Sequence, residues 1–392
     1  MIKKILCFFI AFCLCLLFTS CKSQPKIQIP PLSEATGLSE EELDEILSSM
    51  TLEEKISQML IVEIENGAPL DSPATGGIIL FKDNFGDAQN TKDFIEGLKN
   101  QSEYPLIVSV DHEGGKVQRL TSLKSPKATY IPPMENLGET GDTFLAYNTG
   151  AVMAKELAAL GINVNFAPVV DISRDETGFM GSRCFSTNPN LVSSMAVSLA
   201  KGMKETGVIP TFKHFPGHGD TSVDSHESLP IINKTKEQLY AHELIPFISA
   251  IENGAQIIMV GHIAVPMVSG DNTPASLSKT VITSLLKEEL GFDGLVVTDA
   301  LDMGALTENY SNAEIYKMTV EAGTDLLLMP EDKDLAIKVI KESFSEERIN
   351  DSVRRILSFK YKYLTNDSSY PLSCIGSKEH KAVINSFNHN HR

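Results

Sequence analysis

The stretch Val208-Ile209-Pro210-Thr211-Phe212-Lys213-His214 is a short apolar run that ends in two polar residues. Apolar runs of this length, bounded by turn residues, are typical of strands buried on both faces. A proline and two glycines within residues 215–219 then break any regular periodicity, and a polar loop continues to His226. We therefore predict a buried strand over residues 208–213, followed by a loop rich in titratable groups, where chemistry is commonly found.

Apolar runs of the same kind recur along the chain and predict the fold. Seven more lie near residues 60–64, 76–81, 106–111, 163–171, 256–262, 294–299 and 325–329. Helical periodicity lies between most of them, at residues 91–98, 144–160, 191–205, 236–252, 280–290 and 313–322. Buried strands that alternate with helices predict an α/β fold, a (β/α)8 TIM barrel. The alternative is a doubly wound open sheet, although no dinucleotide-binding G-x-G-x-x-G follows the first strand.

Polar side chains stand at or just past the carboxyl ends of five of these predicted strands. In a barrel those ends meet on one face, and that face carries the active site. Charged side chains are rarely buried without partners, so core packing alone does not explain the pattern. The residues concerned are Asp111, Asp171, Lys213, His214, His262 and Asp299.

The charge of the chain limits its partners. A formal net charge of -17 argues against nucleic acid, whose binding requires clustered Lys and Arg. The same charge disfavours adsorption on an anionic membrane, so we expect any membrane attachment to come through a lipid anchor only. No Trp is present, so a sugar ligand would have to stack on Phe, Tyr or Met. We expect a monomer with no cofactor and no metal.

The N-terminus predicts export. Two lysines precede the unbroken apolar run Ile5–Phe18, which is too short for a membrane span of about 20 residues. Thr19 and Ser20 then precede Cys21, as in a bacterial lipobox. We predict a lipoprotein signal peptide at residues 1–20, lipidation of Cys21, and a tether at residues 21–38. The alternatives are an ordinary signal peptide or a short uncleaved anchor.

Lipidation would leave the mature protein outside the cytoplasm, anchored to a bacterial membrane in the periplasm or at the cell surface. Once the signal is removed and Cys21 is used as the anchor, only Cys184 and Cys374 remain, so no disulfide framework is expected.

The chemistry of the strand-end residues leaves several roles open. Asp224 and His226 are two residues apart in the loop, and a carboxylate that orients a His makes a credible general acid/base pair. The same loop could supply metal ligands, although Pro216 and Gly217 make a helical zinc spacing between its first two histidines unfavourable. Asp299 could be a nucleophile, a base, a metal ligand or an ion-pair partner.

Two further sets of residues complete the candidates. Asp302 is the competing carboxylate near Asp299. His218 and Asp220 are expected to brace the loop by hydrogen bonds.

Several motifs together resemble one enzyme family. Lys213-His214-Phe215-Pro216-Gly217-His218-Gly219-Asp220-Thr221, followed by Asp224-Ser225-His226, is similar to the signature of glycoside hydrolase family 3 β-N-acetylglucosaminidases, the NagZ-type β-hexosaminidases. Other similar segments are Met50 to Met59, Val110 to Arg119, Ser182 to Phe185, and Gly291 to Met303. The resemblance covers most of the chain after the tether, with the motifs in the family's order.

The resemblance implies roles residue by residue. Asp299 matches the nucleophile of a retaining mechanism, and His226, oriented by Asp224, matches the acid/base. The residues that match the family's sugar-holding groups are Asp111, Arg119, Arg183, Lys213 and His214.

The implied activity is exo-hydrolysis of terminal β-linked GlcNAc from peptidoglycan fragments or chitooligosaccharides. Because a His acid/base does not repel phosphate as a second carboxylate would, phosphorolysis is an alternative. A metal-dependent barrel hydrolase and a non-catalytic sugar-binding lipoprotein are the others. The catalytic domain is expected at residues 39–364, with a tail at 365–392 that contains a possible short helix.

Overall fold

The computed structural model describes residues 37–174, 180–219, 228–365 and 370–389. Their strands are, in chain order, β1 (Leu60–Glu63), β2 (Gly77–Leu80), β3 (Ile107–Val110), β4 (His112–Gly114), β5 (Val117–Gln118), β6 (Val164–Asn165), β7 (Ile209–Phe215), β8 (Ile257–Val260), β9 (Leu295–Thr298) and β10 (Leu327–Leu328). Strands β4 and β5 form a separate antiparallel hairpin, and the other eight pair in parallel.

The parallel sheet closes into a barrel. Its neighbour order is β10-β1-β2-β3-β6-β7-β8-β9. The two end strands meet through a parallel bridge between Val297 and Leu326, where the Thr298 amide donates to the Leu326 carbonyl at 3.1 Å. This closure confirms the predicted (β/α)8 barrel and excludes the open sheet.

The helices are α1 (Glu40–Ser49), α2 (Leu52–Gln58), α3 (Ala88–Gln101), α4 (Met134–Thr140), α5 (Thr143–Ala159), α6 (Pro189–Glu205), α7 (Lys236–Ala241), α8 (Ile245–Glu252), α9 (Pro266–Ser269), α10 (Thr280–Glu289, wound as a π-helix), α11 (Gly304–Thr307), α12 (Asn312–Ala322), α13 (Lys333–Ser343), α14 (Glu346–Tyr363) and α15 (Lys378–Asn385). Capping boxes begin α1 and α2, as Ser39 with Glu42 and Thr51 with Glu54. The short helix expected in the tail is α15.

Two predicted elements differ from the structure. The helix expected over residues 236–252 is divided into α7 and α8, with Pro246 in the first turn of α8, where a missing N–H is tolerated. The strand expected over residues 163–171 pairs regularly only at β6. Pro168 lacks the amide that a ladder requires, and pairing resumes as an isolated bridge between Val169 and Lys213.

The sheet is buried on both faces. Alternate residues of one strand enter different hydrophobic clusters, so that Ile257 and Met259 of β8 belong to one and Ile258 and Val260 to the other. This explains why the strands are continuous apolar runs in the sequence. No helix in the part of the chain that the structure describes is long and apolar enough to span a bilayer. The predicted signal peptide and most of the tether lie outside that part.

The C-terminal segment is fastened to the barrel by one buried carboxylate. Glu156 of α5 accepts hydrogen bonds from the Thr129 amide (2.9 Å) and hydroxyl (2.6 Å). It also accepts from the Gly376 amide at 2.9 Å, and lies 2.7 Å from His380 Nδ1 of α15. Residues distant in sequence are therefore joined at a single side chain.

Lys360 of α14 is a buried cation at the opposite end of the barrel from the strand-end polar residues. Its side chain is fully buried, and Nζ donates to Gln58 Oε1 at 2.6 Å. Burial lowers the pKa of Lys360 to about 7. The unfolded chain therefore binds more protons than the folded chain between pH 7 and about 10, and the destabilising effect of Lys360 is largest below pH 7.

We predict that Lys360→Met raises the free energy of unfolding at pH 6 by about 1–4 kcal/mol, because an apolar side chain removes the burial penalty of the charge. The gain should shrink as the pH rises from 7 toward 10. Chemical denaturation at several pH values measures it, with exposed Lys338→Met as the control. A gain that does not change with pH would contradict the prediction.

Candidate active site

The predicted strand-end residues meet at the carboxyl end of the barrel. Asp111 follows β3, Lys213 and His214 lie in β7, and Asp299 follows β9. Because all eight strands are parallel, residues far apart in sequence reach the same face. His214 and Asp299 lie together in one group of polar contacts, and Asp111 and Lys213, with Arg119 and Arg183, belong to an ion-pair network.

The centre of this network is Glu113, whose side chain is 1% exposed. Arg183 donates to both its carboxylate oxygens, each at 2.8 Å, and Lys213 Nζ lies 2.6 Å from Oε1. Lys213 Nζ also donates to Asp111 Oδ1 at 2.6 Å. Burial alone would raise the pKa of Glu113, but the two cations outweigh it and hold the pKa well below its ordinary range. Glu113 is therefore ionised and fixes both cations.

The β4–β5 hairpin places Glu113, and its turn requires glycine. Gly114 has a φ of 110°, a conformation that side chains rarely adopt. A Cβ there would also lie 2.8 Å from the carbonyl oxygen of Pro132. The two glycines after Glu113 thus let the hairpin pack against residues 131–133, and the carboxylate turns into the barrel end.

The charged side chains of the site fall into two groups that differ in solvent exposure. The side chains of Asp111, Arg119, Arg183 and Asp299 are each 19–21% exposed, whereas Glu113 and Lys213 are at most 3% exposed. Arg119 Nη2 lies 3.8 Å from Asp111 Oδ2, and its guanidinium stands 5.3 Å from the centre of the Phe81 ring. The more exposed groups can contact a ligand, and the buried ones position them.

His214 is held by a buried carboxylate. Asp171, fully buried, lies 2.7 Å from His214 Nδ1 and accepts from the His218 amide at 2.6 Å. Burial would raise the pKa of Asp171, but His214 and these hydrogen bonds hold it below its ordinary value. With Nδ1 donating to Asp171, His214 Nε2 is directed toward Asp299, 4.0 Å from Oδ2. His218 thus contributes its backbone amide to the site.

Asp299 is held ionised at the mouth of the barrel. Its Oδ1 accepts from the Ala300 amide at 2.9 Å. Burial would raise its pKa, but His214, Lys213 and the Ala300 amide together hold the pKa below its ordinary value. The competing carboxylate, Asp302, is a solvent-exposed residue.

His262 secures the backbone beside Asp299. It is fully buried, and its Nε2 lies 2.7 Å from the Ala300 carbonyl, which only accepts, so Nε2 carries the proton. Nδ1 then accepts from the Ser276 hydroxyl at 2.7 Å. Burial is the main cause that lowers the pKa of His262. A neutral His262 thus fixes the segment that carries Asp299.

Asp224 and His226 lie outside the described residues, as does Asp220. The described residues on either side reach the same end of the barrel. Gly219 packs so closely on Ile172 that a Cβ would lie 1.8 Å from its carbonyl oxygen, and Ile231 bridges to Ala264. Within the described ranges, no group of three or more His, Cys, Asp or Glu residues is arranged to hold a metal ion.

Such a site suits a ligand rich in hydroxyl groups. At one end of the barrel, Asp111 and Asp299 present partly exposed carboxylates, and Arg119 and Arg183 present partly exposed guanidinium groups, so the site can accept from and donate to a polyhydroxylated ring. The fold and the site define a (β/α)8 enzyme that acts on carbohydrate.

Comparison with known proteins identifies the family. Residues 51–359 match the profile described as Glycosyl hydrolase family 3 N terminal domain. A Beta-hexosaminidase of Idiomarina loihiensis is 35% identical over 289 residues, which are 72% of this chain and 86% of that protein. One from Chromobacterium violaceum is 33% identical over 294 residues, 73% of this chain and 80% of its own length.

A solved structure supports the same assignment. The glycoside hydrolase family 3 beta-N-acetylglucosaminidase from Paenibacillus sp. superposes with a TM-score of 0.81 at 34% identity, covering 87% of this chain and 69% of that one. The chain therefore belongs to glycoside hydrolase family 3 and is a glycosidase of the β-hexosaminidase type.

Sequence reasoning assigned no role to Glu113, and it named Asp171 and His262 without a partner. The sequence does contain a signal for Glu113, since it lies two residues after Asp111 and is followed by two glycines. Its partner Arg183 is 70 residues further along the chain, so the pairing itself is tertiary.

We predict that Glu113→Gln weakens both the protein and its activity, because Arg183 and Lys213 would then share a buried space without their common anion. Loss of one partner of a buried pair typically costs about 3–5 kcal/mol. Thermal unfolding and hydrolysis of p-nitrophenyl β-GlcNAc would measure the two effects.

Exposed Glu308→Gln is the matched control and should change neither quantity. The stabilising effect of ionised Glu113 is present above the ordinary Glu pKa, near 4.3, and is lost as the pH falls through its lower folded value. The difference in stability between the wild type and Glu113→Gln should thus become smaller as the pH is lowered below the ordinary Glu pKa. Equal stability of both variants at pH 7 would refute the role given to Glu113.

Proposed function

We propose that the chain is a retaining exo-β-N-acetylglucosaminidase whose nucleophile is Asp299. The observation that supports this role is an ionised, partly exposed carboxylate at the barrel mouth, held by the Ala300 amide and flanked by His214. In a retaining mechanism a carboxylate attacks the anomeric carbon while an acid protonates the leaving oxygen. A lowered pKa keeps Asp299 in the form that can attack.

We assign the sugar-holding role to the other clustered residues. Asp111 and Arg183 are partly exposed and can bond ring hydroxyls or the N-acetyl group. Lys213 and His214 support them from below, each fixed by a buried carboxylate. Arg119, stacked on Phe81, would close one side of the pocket.

The acid/base role is proposed for His226, with Asp224 as its orienting partner. His226 would give a proton to the glycosidic oxygen as the bond from that oxygen to C1 breaks and Asp299 bonds to C1. It would then take a proton from the water that attacks C1 and releases Asp299. Support comes from the sequence spacing of the pair and from flanking residues that reach the active-site face.

The proposed substrates carry a terminal β-linked GlcNAc, as in peptidoglycan fragments or chitooligosaccharides. Support comes from the Paenibacillus structure, which is a beta-N-acetylglucosaminidase, and from a site without Trp that relies on hydrogen bonds and ion pairs. Kinetics with a muropeptide and a chitooligosaccharide would separate the two classes.

We predict that Asp299→Asn lowers kcat on p-nitrophenyl β-GlcNAc by roughly 10³-fold or more, since no covalent intermediate can form. His226→Ala should lose roughly 10²–10⁴-fold. A substrate with a 2,4-dinitrophenyl leaving group needs no protonation, so it should restore the glycosylation step for His226→Ala and not for Asp299→Asn. Asp302→Asn is the control and should remain active. Full activity in either of the first two variants would exclude the assignment.

Phosphorolysis is a second candidate, favoured by one structural neighbour. A beta-glucoside phosphorylase, BglX, superposes with a TM-score of 0.82 at 25% identity and covers 90% of this chain. A neutral base such as His226 would admit phosphate to the glycosyl intermediate. In phosphate buffer the two activities differ by product, since GlcNAc 1-phosphate marks phosphorolysis and free GlcNAc marks hydrolysis.

We also propose that Cys21 is lipidated and holds the enzyme outside the cytoplasm. The lipobox-like Thr19-Ser20-Cys21 after an apolar run supports this. Metabolic labelling with a palmitate analogue should label the wild type, and Cys21→Ser should lose the label and leave the membrane fraction. Cys374→Ser is the matched control. Equal labelling of the wild type and Cys21→Ser would refute the proposal.

A further inference from the structure

A groove of about 500 Å³ opens at the end of the barrel opposite the active site. Gln256 and Gly294, which immediately precede β8 and β9, line it, whereas Asp299 follows β9 at the other end. Despite the net charge of -17, the charged side chains that line the groove are four cations and two carboxylates, Lys204, Arg354, Arg355, Lys362, Glu40 and Asp293.

Two of these cations are neutralised within the protein. Arg354 pairs with Glu40 at 2.9 Å and with Asp44. Arg355 pairs with the fully buried Asp325 at 2.7 Å. These arginines therefore build the wall of the groove. The remaining charged side chains of its lining are Lys204, Lys362 and one carboxylate, Asp293, so the groove keeps a positive balance.

Lys204 and Lys362 converge on one aromatic ring. Their Nζ atoms lie 5.9 Å and 5.3 Å from the centre of the Tyr363 ring. In the part of the chain that the structure describes, neither ammonium group lies within 4.0 Å of a carboxylate oxygen. Burial and the nearby Lys362 lower the pKa of Lys204. An anion placed between the two ammonium groups would relieve their repulsion.

The N-terminal tether leaves the barrel beside this groove. A Cβ built on Gly37 would lie 3.7 Å from Lys362 Cβ. The segment from Cys21 to Gly37 spans at most about 55 Å, and about 22 Å on average if flexible. A tether of that length gives the groove an effective concentration of headgroups in the millimolar range, so a weak contact becomes populated.

We propose that this groove binds the phosphate of anionic phospholipid headgroups and docks the base of the barrel on the membrane. The proposal rests on the lipid anchor at Cys21 proposed above. It departs from the expectation that the net charge of the chain disfavours adsorption on an anionic membrane. Charges beyond about 8–10 Å are screened at physiological ionic strength, so the local charge of the groove decides. The catalytic end then points away from the bilayer.

The absence of Trp allows a clean test. Tyr363→Trp gives a single emitter in the groove, and Tyr310→Trp gives a control beyond β9, toward the catalytic end. Each variant is prepared as a protein that begins at residue 21, so that every described residue is kept. Its Cys21 thiol is then coupled to a maleimide lipid. Cys374→Ser removes the other partly accessible thiol. The vesicles contain a headgroup spin-labelled lipid with either phosphatidylglycerol or phosphatidylcholine alone.

We expect quenching of the groove reporter on phosphatidylglycerol and not on phosphatidylcholine, and no quenching of the control reporter. The double variant Lys204→Gln/Lys362→Gln should weaken binding of the groove to phosphatidylglycerol roughly 30-fold. The control double variant Lys317→Gln/Lys338→Gln, whose lysines are exposed on other helices, should not weaken it. Hydrolysis of a soluble substrate should be unchanged in both pairs.

Equal quenching on both lipids, or quenching that the groove pair does not reduce, would overturn the proposal. A response of the reporter to free inorganic phosphate without quenching on vesicles would identify a site for soluble anions and would also overturn it. Chemical coupling makes the result independent of lipidation in the cell, so a failure here is distinct from a failure of the proposed anchor.

Discussion

The active site depends on the burial of one carboxylate between two cations. Glu113 lies between Arg183 and Lys213 and is the carboxylate that both cations share, so its loss would leave buried charge only partly paired, which is unfavourable. Lys213 in turn holds Asp111. The positions of the groups proposed to bind the sugar therefore follow from an ion cluster that fixes their geometry more than it adds net stability, as is usual for buried ion pairs.

Buried side chains also position Asp299, the proposed nucleophile. Asp171 orients His214, and Ser276 and His262 hold the backbone next to Asp299. In both cases a fully buried partner fixes a side chain that is more open. Preorganised groups of this kind need little rearrangement when charge develops during a reaction. The barrel supplies the rigid frame, because each partner sits on or just beyond a different strand end.

The sequence predicts the strands of the barrel better than it predicts the side-chain contacts of the active site. Continuous apolar runs identify the strands because both faces of a closed parallel sheet are buried, and Asp299 and Lys213 stand out because polar groups end those runs. Pairings such as Glu113 with Arg183 depend on strand order and hairpin geometry, which local patterns do not specify. Local patterns also miss the helix break near Pro246. Apolar periodicity continues across residues 236–252, but the backbone forms two separate helices there.

The hydrogen bonds to the Glu156 carboxylate affect when the chain can complete its folding. Its carboxylate is buried and takes donors from Thr129 and from Gly376, 220 positions further along than Glu156 itself. Until those last residues emerge from the ribosome, the carboxylate lacks partners that its burial requires. A nascent chain would then stay incompletely packed while most of it is synthesised. Late closure of the structure would be compatible with the export that is proposed above, because an exported chain crosses the membrane unfolded.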